Sequence, residues 1–104
     1  MNAREVIAEM LRRFDGGRAW TRGAMARRRG RIVQYDDPAA RRWCLLGMLA
    51  LVIKDEPNAR QLYQIVRNRI RRVTEGAYLG PLNDSAANFG EIRTVLLAAI
   101  QNGK

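Results

Sequence analysis

Apolar positions recur at helical spacing in three separate stretches of this chain. Ala3, Val6, Ile7, Met10, Leu11 and Phe14 fall at i, i+3, i+4, i+7, i+8 and i+11, one continuous stripe on a helix over 3–15. Asn2 and Glu5 stand at the capping-box spacing before it, and Gly16-Gly17 stops it. Leu62, Ile65, Val66, Ile70 and Val73 make one buried face of a helix over 57–75, ended by Gly76. Phe89, Ile92, Val95, Leu96, Ala99 and Ile100 do the same over 89–101, with Asn88 and Glu91 at the start and Asn102-Gly103 at the stop.

A fourth stretch has no polar face. Trp43 to Ile53 is eleven successive apolar residues, too few to cross a bilayer and right for a buried helix. Asp37-Pro38 is an N-cap followed by proline at a first helical position, which predicts a helix over 38–54 at the centre of the fold. Cys44 and Gly47 lie one turn apart there, and two small residues at that spacing let a neighbour approach closely. Ile32, Val33 and Tyr35 after Arg29-Gly30 predict the second arm of a hairpin within a β element over 25–35. Residues 76–87 read as an ordered loop, turned at Gly80-Pro81 and pinned by Tyr78, Leu79 and Leu82. The expected fold is mainly α: one domain over 1–104, a compact four-helix unit with a small irregular or β-hairpin insertion after the first helix.

Charge sharpens this picture. The 104 residues carry a formal net charge of +9, and the excess sits in two stretches without any acid. Gly16–Tyr35 holds six arginines and Pro57–Thr74 holds five, so the rest of the chain, with eight basic and ten acidic residues, is slightly negative. Segregated charge of one sign makes a field that attracts a polyanion, whereas scattered charge only solubilises.

Catalytic chemistry finds little to work with. The chain has no histidine, which excludes Ser-His-Asp and Cys-His nucleophilic systems, and one cysteine cannot build a zinc site. No phosphate-cradling glycine loop is present, since Gly16-Gly17 is followed by Arg18 and Ala19. The expectation is therefore no enzyme, no metal and no cofactor. Cys44 starts the apolar run facing inward, so packing explains it better than reactivity does, and a lone cysteine fits a reducing, cytoplasmic setting. Asn83-Asp84 is the most site-like polar pair, a possible ligand loop between apolar anchors, although a turn cap accounts for it better.

Three segments taken in order carry a resemblance. Trp20-Thr21-Arg22-Gly23-Ala24-Met25-Ala26-Arg27, then Trp43-Cys44-Leu45-Leu46-Gly47, then Leu82-Asn83-Asp84 ahead of the last helix, resemble a family of small bacterial and phage-associated proteins known only as a domain of unknown function. That family's pattern is Trp, Gly-Ala-x-Ala, Trp-Cys-x-x-Gly and Trp-Asn-Asp, and the likeness spans 20–100. Met48 departs from the family's alanine, and Leu82 replaces the aromatic before Asn-Asp. The resemblance implies an integral single domain and brings no activity, substrate or cofactor.

Function then rests on the arginines. On a helix from Pro57, Arg60, Arg67 and Arg71 fall at i, i+7 and i+11 with Arg72 adjacent, all away from the apolar stripe. Arg69 falls nearer that stripe, where an acid from another helix would pair with it. Arg22, Arg27, Arg28, Arg29 and Arg31 make the second cationic set, beside Trp20 and Tyr35. These nine arginines are the expected contacts of a non-catalytic DNA- or RNA-binding domain. The competing expectation is a phage-type interaction or inhibitor protein whose arginines meet an acidic host protein. Neither requires a membrane, and both are compatible with a homodimer.

Overall fold

The computed structural model describes residues 1–101, so the stop expected at Asn102-Gly103 lies outside the described residues. Helix α1 spans Ala3–Phe14. Its capping box closes as the spacing requires: Asn2 Oδ1 accepts from Glu5 N at 2.9 Å, and Glu5 Oε1 accepts from Asn2 N at 2.8 Å. The stripe delivers Val6, Ile7, Met10 and Phe14 to full burial. Asp15 turns the chain out of the helix at φ 50°, and Gly16 and Gly17 continue at positive φ.

A three-stranded antiparallel sheet follows, with β1 at Ala26–Arg28, β2 at Arg31–Val33 and β3 at Arg42–Trp43, ordered β2-β1-β3. The expected hairpin is β1 and β2, joined by Arg29-Gly30 at φ 49° and 83°. Positive φ at both central positions is the type I′ hairpin turn, whose twist matches that of the strands. Gly30 adopts it freely, whereas Arg29 is driven there against its Cβ.

The third strand corrects the helix expected over 38–54. Asp37 caps no helix: its Oδ1 accepts from Ala39 N at 2.8 Å, an Asx turn around Pro38. The chain then extends, pairing Trp43 with Ala26 and Arg42 with Arg27. Helix α2 is accordingly Leu45–Ile53, and its N-cap is Cys44, whose Sγ accepts from Gly47 N at 3.3 Å.

Helices α3 (Ala59–Val73), α4 (Leu79–Ser85) and α5 (Phe89–Gln101) complete the domain, giving five α-helices among the described residues rather than four. The added one is α4, inside the segment expected as a loop. Its Pro81 sits in the first turn, where a missing N–H leaves no helical bond unmade. Helix α2 is covered by α1, α3, α4 and β3, while α5 packs on α1 and α3. No helix among the described residues is long and apolar enough to cross a membrane.

Three apolar residues depart from their expected burial. Ile65 is 49% exposed, because the core line of α3 runs Leu62, Val66, Ile70 with Arg69 beside it. Tyr78 is exposed while Leu79 is buried. Ile32 is 68% exposed, and its side of the sheet carries no covering layer.

Candidate functional site

The sheet is held to the helices by close backbone packing and one buried amide. Met25 O accepts from Cys44 N at 3.2 Å. It also lies against the Gly47 Cα so tightly that a Cβ there would stand 1.9 Å from that oxygen. Asn83 is fully buried on α4 and uses all four of its hydrogen-bond positions. Its Oδ1 accepts from Trp20 Nε1 at 2.7 Å and from Leu45 N at 3.0 Å, and its Nδ2 donates to Thr21 O at 3.0 Å and Asp84 Oδ1 at 3.2 Å. Asp84 Oδ1 also accepts from Gly23 N at 2.9 Å. The pair expected as a ligand loop is therefore internal stitching, and Asn83 has no position left for a ligand. Cys44 is equally occupied: burial raises its thiol pKa above the ordinary value, which disfavours the reactive thiolate.

Sheet alternation sorts the first arginine set. Ala26, Val33 and Trp43 point toward the helices, and Arg28 and Arg31 share that side at the exposed hairpin tip. The opposite side carries Ile32, Arg27 and Arg42 in one row across the three strands. Two like-charged pairs stand directly opposite each other as a result: Arg27 faces Arg42, and Arg28 faces Arg31. The five ion pairs among the described residues involve none of these four. Beside the row, Thr21, Arg27, Arg29, Gly30, Arg41 and Arg42 line a hollow of about 420 Å³. Arg27 is oriented there by donating from Nη1 to Gly30 O at 3.0 Å and from Nη2 to Arg22 O at 3.4 Å. Arg22 itself donates to Ala86 O at 2.9 Å and lies 5.7 Å over the Trp20 ring.

The second set is put to a different use. Arg69 is buried and pairs with no acid: Nε donates to Ala99 O at 2.9 Å and Nη2 to Ile100 O at 3.0 Å, closing the end of α5. Desolvation, aided by Arg4 and Arg72, lowers its pKa from the ordinary arginine value. Arg71 donates to Gly76 O at 3.2 Å and lies 4.6 Å over the Tyr78 ring. Arg67 is half-buried, with a buried Nε lacking a partner among the described residues. Only Arg60 and Arg72 of the expected α3 contacts are exposed.

Arg41 and Arg42 escape sequence reasoning, because both fall inside the helix expected over 38–54. The two arginine stretches, expected to merge into one face, touch here at one point that no arginine of the first stretch lines. Tyr35, closing the first, and Arg60 and Tyr63, near the start of the second, line one hollow between α2 and α3.

No curated protein and no solved structure matches the chain. A family match does cover residues 2–102, with the description "Family of unknown function (DUF6197)". The match covers the chain almost end to end, and the chain belongs to this family of unknown function.

Proposed function

We propose that this chain is a non-catalytic nucleic-acid-binding domain whose sheet face and hairpin tip take the phosphates. The observation that carries the reading is the pair of arginine–arginine oppositions, Arg27 with Arg42 and Arg28 with Arg31, with no carboxylate paired to any of the four. Like charges directly opposite on a sheet destabilise it. A phosphodiester strand supplies the missing negative charge, and arginine forks suit phosphate geometry. Arg29 supports the same reading. A turn position that favours Asn or Gly holds an arginine at positive φ, and strain of that kind collects at functional sites.

The test is an affinity titration on oligonucleotides across a range of salt. If Arg27, Arg28, Arg29, Arg31, Arg41 and Arg42 all meet phosphates, log K falls against log salt with a slope of about −4 on single strands or −5 on duplex. Binding weaker than roughly 100 µM at low salt, or a slope near zero, removes the reading. Co-purification of one acidic protein that survives nuclease treatment would then favour the phage-type interaction alternative. An intracellular setting agrees with the proposal, since nucleic acid is met there and Cys44 stays reduced.

A further inference from the structure

We infer that the partner is single-stranded rather than duplex nucleic acid, with one base seated in the slot that Tyr35 and Tyr63 line; this rests on the phosphate-binding reading above. This slot is a shallow, mostly open hollow of about 350 Å³, and its lining includes Tyr35, Ala50, Ile53, Lys54, Arg60 and Tyr63. Its composition is what an unstacked base needs: apolar helix residues, two half-buried aromatic residues and cations. Aromatic stacking accepts any base because every base has a π-face, whereas a base inside a duplex is already stacked and cannot enter. Lys54 lies with Nζ 3.9 Å from Asp55 Oδ2, so Arg60 is the cation of the slot without an ion pair among the described residues.

The position of the slot joins it to the sheet arginines. Tyr35 follows the last residue of β2 by two positions, and its carbonyl accepts from Trp43 Nε1 on β3 at 2.8 Å. Four residue steps of chain separate Arg31 from Tyr35, a reach of at most about 14 Å. A strand whose phosphates lie on the sheet needs only a few nucleotides to bring a base to the slot. Beyond it, Arg67 and Arg71 continue along α3 about two and three turns past Arg60. Arg71 there sits on the exposed Tyr78 ring, a second aromatic surface paired with a cation.

Fluorescence anisotropy at low salt tests this with four probes of equal length: oligodeoxyadenylate, oligoriboadenylate, an abasic deoxyribose phosphodiester and a DNA duplex. The expected result is that the adenylate strands bind about 5-fold or more tightly than the abasic strand. That ratio should fall to near one in Tyr35→Ala and persist in Tyr35→Phe, which keeps the ring. The deoxy and ribo arms separate DNA from RNA as the source of the strand. Abasic or duplex probes binding as tightly as adenylate would overturn the inference. In that case, loss of binding in Arg27→Glu with Arg42→Glu leaves the phosphate reading standing. If no probe binds the unmodified protein, both fall.

Discussion

Arg69 on α3 and Arg42 on β3 carry the same charge and meet opposite surroundings. Arg69 is 8% exposed, and its guanidinium completes the carbonyl end of α5. Arg42 is exposed, faces Arg27 across the sheet, and its guanidinium makes no hydrogen bond or ion pair among the described residues. One arginine is part of the core's hydrogen-bond inventory, and the other adds repulsion to a small sheet. Between them stand Arg12 and Arg13 on α1, which share Glu9. The difference teaches that a cationic run in a sequence is not one kind of thing. What separates a structural arginine from a binding arginine is whether the fold takes up its donors in the core or leaves some of them facing solvent.

The comparison can be broken most severely by detaching the sheet. Gly47→Ala places a methyl 1.9 Å from Met25 O, a backbone atom that cannot rotate away. Stability should fall by about 3 kcal/mol or more, measured by denaturant unfolding. Helices α1, α3 and α5 should keep most of the circular dichroism while nucleic-acid affinity is lost. Next in size is Arg69→Ala, which strips the α5 carbonyls of a buried charged donor. A loss of about 2–3 kcal/mol is expected, visible as a melting point lowered by roughly 10–20 °C, with little change in affinity of the folded fraction. Arg71→Ala removes one hydrogen bond and the contact with Tyr78, and should cost about 1 kcal/mol.

The smallest effect concerns the acid-paired set. Arg12 and Arg13 hold the Glu9 carboxyl down to about 2, mainly through their hydrogen bonds to it. Its folded value lies below its unfolded one, so its contribution is present above the ordinary carboxylate range and is lost as pH falls through about 2. Glu9→Gln should therefore lower the melting point slightly at neutral pH. The two proteins should converge near the acid end of the titration.

How much of this is legible in the chain depends on the range of each interaction. Helices α1, α3 and α5 follow from apolar periodicity and local caps, because their signals lie within a few residues of one another. The start of α2 does not, since Asp37-Pro38 satisfies every local rule for a helix start. What defeats it is the pairing of Arg42 and Trp43 with β1, some fifteen residues away. Helix α4 is hidden because Gly80 and Pro81 argue against a helix, and its stability comes from Leu79 and Asn83 being buried. Asn83 reads as a loop residue for the same reason: its bonds to Trp20, Thr21 and Leu45 all cross large sequence separations. The candidate site is half legible. Charge segregation points to Arg27, Arg28, Arg29 and Arg31, but the row that sets Arg27 against Arg42 exists only once β3 is in place.

Arg42→Glu is the substitution that bears most directly on the sheet arginines. It replaces a like-charged cross-strand pair with an opposite one, so the fold should gain about 0.2–1 kcal/mol, read from unfolding in denaturant. In the same protein, oligonucleotide affinity at low salt should fall, and the salt slope should become shallower by at least about 1. Stability up with binding down is the predicted result. A variant that is more stable yet binds as tightly, with the slope unchanged, would contradict the claim that this face is held for a polyanion.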